Sequence, residues 1–129
     1  MNVKRLSLLC LVALSAVLYG CSASKIQVGP ADNGAAVKLK QGQSLIITLA
    51  SSPTTGYSWQ PVLDPVFLAQ TGEAKFEAES SLIGAGGAET FEFEALEPGT
   101  TTLTLNYMRP WEEDVEPEEI FQITVVIEG

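Results

Sequence analysis

Glu89–Leu96 (Glu-Thr-Phe-Glu-Phe-Glu-Ala-Leu) is the stretch that decides the fold. Phe91, Phe93 and Ala95 fall on one side of an extended chain, and the glutamates between them fall on the other. Because successive side chains of a strand point to opposite faces, this alternation predicts a strand with one buried face and one wet face.

The same alternation recurs outward in both directions, and no segment shows a convincing helical period. Thr100–Tyr107 alternates apolar residues with Thr and Asn, and Ile120–Ile127 is rich in β-branched residues. The pattern predicts an all-β fold, an immunoglobulin-like antiparallel β-sandwich of about seven to eight strands, with a small closed barrel as the rival architecture. The earlier predicted strands are Val37–Leu39, Ser44–Ala50, Tyr57–Leu63 and Lys75–Glu79.

The N-terminus has the zones of a secretory signal. Met1–Arg5 is basic, Leu6–Tyr19 is apolar, and Leu18–Cys21 (Leu-Tyr-Gly-Cys) resembles the lipobox of bacterial lipoproteins, in which the cysteine is acylated. We therefore predict a lipoprotein signal peptide over residues 1–20 and lipidation of Cys21. The alternatives are ordinary signal cleavage without a lipid and an N-terminal anchor helix, although the apolar zone is shorter than the ~20 residues of a spanning helix.

These predictions imply a domain organisation and a location. Residues 21–33 are predicted as a lipidated tether with room for a short strand around Lys25–Val28, and residues 34–129 as the sandwich domain. Ser22 differs from the Asp of a typical inner-membrane retention signal, which favours the outer membrane and periplasm of a bacterial envelope. The only other cysteine, Cys10, leaves with the signal, so the mature domain can form no internal disulfide.

Charge and composition exclude several functions. After processing, the chain keeps five basic and sixteen acidic residues. This net negative charge repels phosphate groups and disfavours nucleic acid as a partner. The chain has no histidine, so Ser–His and Cys–His catalysis are absent, and we predict neither an enzyme nor a cofactor. The acidic stretch 112–119 is interrupted by Pro117 and matches no calcium loop, so we predict a solvated hairpin and no metal site.

Three connections stand out from the other turns. Ser52–Tyr57 places two threonines between Pro53 and a glycine, Gly84–Gly87 has three glycines in four positions, and Arg109–Trp111 contains the only arginine of the mature domain. Each has an ordinary interpretation by itself: a β-turn, a flexible loop, and a core tryptophan beside a paired arginine. Trp and Arg are also the residues most enriched at binding hot spots.

Together, in this order, the three segments resemble the chagasin family of cysteine-protease inhibitors. That family has Asn-Pro-Thr-Thr-Gly-Tyr/Phe, Gly-x-Gly-Gly and Arg-Pro-Trp on three loops at one end of an immunoglobulin-type sandwich, and the resemblance covers about residues 36–127. Ser52 stands where the family usually has Asn. The resemblance implies these protease-binding residues: Pro53, Thr54, Thr55, Gly56, Tyr57, Gly84, Ala85, Gly86, Gly87, Arg109, Pro110 and Trp111.

The resemblance also implies a mechanism and a partner. The loops are expected to act as a three-part wedge in the active-site cleft of a papain-like cysteine protease, with reversible, non-covalent binding and the inhibitor as a monomer. Thr54 and Thr55 would reach the catalytic cysteine region, and Trp111 would stack on an aromatic wall of the protease. The alternative is a structural or adhesive envelope lipoprotein, because fold alone does not decide function.

Overall fold

The computed structural model describes residues 24–129, which form two packed β-sheets. Pro30–Asp32 and Pro53–Thr55 are single 3-10 turns between strands. The predicted all-β sandwich is confirmed, with nine strands in the described residues rather than seven or eight. They are β1 Ile26–Val28, β2 Ala36–Lys40, β3 Ser44–Ser51, β4 Ser58–Val62, β5 Leu68–Gln70, β6 Lys75–Ala78, β7 Gly87–Ala95, β8 Gly99–Met108 and β9 Glu119–Glu128.

The strand order includes two parallel pairs, which local sequence patterns did not predict. One sheet runs β1-β3-β7, with β5 and β6 both paired to the far side of β7, and the other runs β2-β9-β8-β4. Most pairs are antiparallel as predicted, but β1–β3 and β2–β9 are parallel, so the sheets are mixed. Parallel neighbours need a crossover connection, and here the chain crosses to the opposite sheet between them. Alternation within a strand carries no information about such partners.

The core lies between the inner faces of the two sheets. Phe91, Phe93 and Ala95 of β7 are buried, as the alternation predicts, and so are the corresponding residues of β8 and β9. Full burial of a large apolar side chain contributes roughly 1.5–3 kcal/mol. Eleven side chains are below 2 % exposure or close to it, which gives the domain a packed core without a disulfide: Phe91, Phe93, Phe121, Leu39, Leu45, Ile47, Leu68, Leu103, Leu105, Ile123 and Val125.

The packed domain begins earlier than residue 34. β1 lies within the range 21–33 that was predicted as a tether, and Val28 is buried against the core. The strand predicted around Lys25–Val28 is therefore part of the sheet. The predicted signal peptide and Cys21 lie outside the described residues. Between residues 24 and 129, no helix has the length and apolar character needed to cross a membrane.

Strand register brings three connections to one end of the sandwich. Ser51 at the end of β3 pairs with Gly87 at the start of β7. Ser58 at the start of β4 pairs with Met108 at the end of β8, and Tyr107 pairs with Glu119 at the start of β9. The connections 52–57, 79–86 and 109–118 therefore leave from the same end, and we call them loops 1, 2 and 3.

Candidate functional site

Loop 1 is a compact turn closed by its own backbone. The Thr55 N–H donates to the Ser52 carbonyl at 3.0 Å, and the Gly56 N–H donates to the Pro53 carbonyl at 2.9 Å. The Thr55 hydroxyl also donates to the Ser52 carbonyl, at 2.6 Å. Pro53, Thr54 and Thr55 are exposed at the tip. Because Pro53 fixes its own φ and the hydrogen bonds fix the rest, the loop is ordered before it meets a partner.

Gly56 satisfies two requirements at once. Its φ is +87°, in the left-handed region that favours glycine. A Cβ at this position would also collide with the indole ring of Trp111. The glycine therefore allows the turn and allows the tryptophan of loop 3 to pack against it.

Loop 3 is fastened to loop 1 by Arg109. The Arg109 Nε donates to the Thr55 carbonyl at 3.0 Å, and the guanidinium lies 4.5 Å from the centre of the Tyr57 ring. The Glu112 N–H donates to the Arg109 carbonyl at 3.1 Å, which closes a turn with Pro110 in its second position, where proline is favoured. A weak pair with Glu112 at 3.9 Å adds little.

Trp111 is 67 % exposed, so the interpretation of this residue as part of the core is wrong. The side chain touches Gly56 along one edge and presents the rest of its surface to solvent. An exposed tryptophan held in place by a neighbouring loop is the type of side chain that dominates binding energy at interfaces. Loops 1 and 3 thus form one continuous surface of hydroxyl, methyl and aromatic groups.

Loop 2 lies beside this surface with few direct links to it. Gly87 is the first residue of β7, and a Cβ there would overlap the backbone of Glu77 and Ala78, so only glycine lets β6 approach β7. Gly86 lies next to Ser52, with the hydroxyl 3.2 Å from where a Cβ would stand. In the described residues, no hydrogen bond joins loop 2 to loop 1 or loop 3.

The structure adds residues that the motifs did not include. Leu82 and Ile83, just before the glycines, are 75 % and 103 % exposed. Tyr107 lies beneath loop 1, where its hydroxyl accepts the Ser52 N–H at 2.9 Å and its ring stacks on Tyr57 at 5.3 Å. Leu82 and Ile83 could have been recognised from the sequence as an apolar pair outside any predicted strand.

Loop 1 is closed by backbone hydrogen bonds with serine at position 52. The Ser52 side chain makes no capping hydrogen bond to the following turn. Order comes instead from the Ser52 peptide, whose N–H is bound by Tyr107 and whose carbonyl accepts twice from Thr55. In this chain the backbone of residue 52 orders the loop.

Nothing in the described residues suggests a metal centre. Among residues 24–129, no three or more carboxylate, histidine or cysteine groups are grouped as a metal ion would need. The acidic segment between β8 and β9 is mostly exposed to solvent. The chemistry that this end of the molecule offers is surface contact and hydrogen bonding.

Comparison with known proteins agrees with this geometry. The family model described as "Chagasin family peptidase inhibitor I42" matches residues 38–125. The chain belongs to the chagasin family. Chagasin of Trypanosoma cruzi is 36% identical over 102 residues, which cover 75% of this chain and 93% of that protein. Amoebiasin-2 of Entamoeba histolytica is 33% identical over 84 residues, covering 63% and 68% respectively.

Solved structures give the same fold. The crystal structure of a cysteine protease inhibitor from Entamoeba histolytica has a TM-score of 0.75 at 26% identity, over 84% of this chain and 100% of that one. The Leishmania mexicana inhibitor of cysteine proteases has a TM-score of 0.58 at 29% identity, over 75% and 90%. Because the family consists of peptidase inhibitors, the prediction that this chain is not an enzyme is confirmed.

Proposed function

We propose that this chagasin-family chain inhibits papain-like cysteine proteases reversibly and non-covalently, with loops 1, 2 and 3 as a wedge in the active-site cleft. The observation that carries the proposal is the contact between loops 1 and 3. Arg109 binds the Thr55 carbonyl, and Trp111 packs on Gly56, so the wedge is assembled in the free protein. Loops already held in their binding conformation lose little entropy on association, which favours high affinity.

The conformation of loop 1 supports blockade rather than cleavage. Pro53–Thr55 is a 3-10 turn, and Gly56 turns the chain back immediately after it. A protease cuts peptides that lie extended along its cleft, which this turn cannot do without losing its hydrogen bonds. Thr54 and Thr55 offer hydroxyls and methyls, and neither group is an electrophile that a catalytic thiolate could trap.

Titration of the protein against a panel of papain-like proteases tests the proposal. We expect competitive inhibition that dilution reverses, with the inhibitor intact after long incubation. Loss of inhibition during incubation, together with cleavage between Pro53 and Tyr57, would show a substrate instead. No inhibition of any enzyme in the panel would favour the structural or adhesive alternative.

We infer in addition that the inhibitor is a bacterial lipoprotein anchored through Cys21. The support is the order of basic, apolar and Leu-Tyr-Gly-Cys segments at the N-terminus. Growth of an expressing bacterium with labelled palmitate should label the native protein, and the Cys21→Ser variant should remain unlabelled and unprocessed. If both the native protein and Cys21→Ser are labelled, or if neither is, lipidation of Cys21 is contradicted and the inhibitor proposal is unaffected.

A further inference from the structure

A carboxylate is buried beneath loop 1. Glu89 is 7% exposed, and Glu89 and Ser51 are the only polar residues that are buried in the described part of the chain. Glu89 lies on β7 two residues before Phe91, so its side chain belongs to the row that continues with Phe91 and Phe93 towards the core. Burial of a carboxylate is unfavourable unless hydrogen bonds replace water, so this position calls for a specific explanation.

The Glu89 carboxylate joins the two strands that border loop 1. Its Oε1 accepts the Ser51 hydroxyl at 2.5 Å and the Trp59 backbone N–H at 3.4 Å. Ser51 is the last residue of β3, and Trp59 is the second residue of β4. β3 and β4 belong to opposite sheets, so one side chain fixes the separation of the sheets where loop 1 spans them.

Neighbouring hydrogen bonds extend this connection. The Trp59 Nε1 donates to the Ala50 carbonyl at 2.9 Å, which is a second bond between β4 and β3. The Ser52 N–H donates to the Tyr107 hydroxyl, which ties the start of loop 1 to β8. We name the set Ser51, Ser52, Trp59, Glu89 and Tyr107 the polar clasp. Ser52 is the first residue of loop 1, and the other four members come from strands that border all three loops.

Glu89 has no cationic partner in the described residues, where the recorded ion pairs involve Glu92 and Glu112. Its Oε1 is therefore bound by the neutral donors of Ser51 and Trp59, and these donors depend on it in return. An apolar side chain at position 89 would leave the Ser51 hydroxyl and the Trp59 N–H without an acceptor in a buried setting. For these two groups to reach water, β3 and β4 would have to move apart. This movement would change the distance between the two ends of loop 1.

We propose that Glu89 is a positioning residue for inhibition, which holds loop 1 in its binding conformation through Ser51 and Trp59. The proposal rests on the proposed function and deepens it. Glu89 is too deeply buried to touch a protease, so it acts through the loop. When only a fraction of molecules holds the binding conformation, the apparent inhibition constant rises by the inverse of that fraction.

The test compares Glu89→Leu, Glu89→Gln and Ser51→Ala with Leu39→Ala in the protein. Leu39 is 1% exposed and lies near the end of β2 beside Ile127, at the end of the sandwich away from the loops. Leu39→Ala therefore lowers stability without touching the clasp. All inhibition constants are measured at a temperature where every variant is folded.

We expect Glu89→Leu to raise the inhibition constant at least tenfold and Ser51→Ala to raise it a few-fold. Glu89→Gln, which keeps an acceptor oxygen, should restore most of the affinity, and Leu39→Ala should leave the constant unchanged. An unchanged constant in folded Glu89→Leu overturns the proposal. An equal rise in Leu39→Ala at matched stability also overturns it, because the effect would then be general destabilisation.

Hydrogen exchange separates this proposal from the proposed function. The Gly56 amide is bonded to Pro53 within loop 1. In Glu89→Leu this amide should exchange at least tenfold faster, and in Leu39→Ala its exchange should change no more than that of the core strands. If the native protein inhibits nothing, faster exchange still supports the clasp as the support of loop 1. Equal protection of Gly56 in the native protein and Glu89→Leu contradicts it.

Discussion

Gly56 and Gly42 have nearly the same φ and different surroundings. Their φ values are +87° and +86°, but only Gly56 has a neighbour where a Cβ would stand, and that neighbour is Trp111. A side chain in the left-handed region costs roughly 1–2 kcal/mol at either site. The two glycines therefore separate the effect of backbone strain from the effect of displacing the tryptophan.

We expect Gly56→Ala and Gly42→Ala to lower the free energy of unfolding by about the same 1–2 kcal/mol. Gly56→Ala should also weaken inhibition, on the order of tenfold or more if displacement of Trp111 removes about 1.4 kcal/mol of binding energy. Denaturant unfolding and inhibition constants measure the two effects. Equal inhibition by both variants would show that the contact between Gly56 and Trp111 is unimportant for binding.

Trp111 provides the most direct test of the wedge. Because its ring is mostly exposed, Trp111→Ala should leave the melting temperature nearly unchanged. Truncation of a hot-spot residue costs about 2 kcal/mol or more, which corresponds to roughly a 30-fold rise in the inhibition constant.

The control for Trp111 is Phe76→Ala. Phe76 is another exposed aromatic residue, at 42 %, on β6 outside the three motifs. We expect this variant to inhibit as the native protein does. An equal loss of inhibition in both variants would remove the special role of Trp111.

At the scale of elements, β6 depends on one glycine. Gly87→Ala would place a methyl group against the backbone of Glu77 and Ala78, which neither strand can avoid without separating. Overpacking of this kind typically costs 1–3 kcal/mol, and each kcal/mol lowers the melting temperature of a domain of this size by about 4–8 °C. Thermal unfolding measures the loss.

Gly86→Ala is the matched control for Gly87→Ala. A Cβ at Gly86 meets the Ser52 hydroxyl at 3.2 Å, and that side chain can rotate away. We expect a melting temperature within about 4 °C of the native value, which corresponds to a change below about 0.5 kcal/mol. A large loss in Gly86→Ala, or none in Gly87→Ala, would contradict the close approach of β6 and β7.

The elements also show how far sequence patterns reach. The inward side of β7 was predictable because Phe91, Phe93 and Ala95 repeat every second residue. Glu89 shares that repeat, but its charge suggested nothing about the interior, and its donors Ser51 and Trp59 lie far from it in sequence. The parallel partners of β1 and β2 were unpredictable for the same reason: they depend on contacts between distant segments.

The candidate site was predictable in composition but not in arrangement. The three motifs carried a resemblance that identified the loops, and the exposure of Trp111 was left open because the residue type suits a core as well as an interface. The link between Arg109 and the Thr55 carbonyl joins residues 54 positions apart, so only the folded chain shows that loops 1 and 3 are one unit.

For the whole molecule, we expect the excess of acidic residues to influence the rate of association with a protease. With sixteen acidic residues in the chain, we expect faster association with proteases whose cleft has a basic rim. Raising the ionic strength from about 50 to 500 mM should slow association several-fold and leave the dissociation rate nearly constant. The reason is that the screening length of exposed charges shortens with salt, from about 10 Å at 0.1 M to about 3 Å at 1 M. Stopped-flow mixing measures both rates.

Two charge-matched variants locate this effect. Glu113→Gln with Glu116→Gln removes two exposed carboxylates from loop 3, and Glu97→Gln with Glu128→Gln removes two from the opposite end of the sandwich. The first pair should reduce the salt dependence more than the second. Equal effects would indicate that net charge acts without regard to position.

The parallel pairing of β1 with β3 places the start of β1 at the end of the sheet opposite loop 1. Ile26 enters the sheet beside Leu45, and β3 then runs six residues further to Ser51 and loop 1, a distance of roughly 20 Å. Four residues separate Ile26 from Cys21. If Cys21 carries the lipid that we propose, the point of attachment therefore lies towards the end of the sandwich opposite loop 1, and we expect the loops to face away from the membrane.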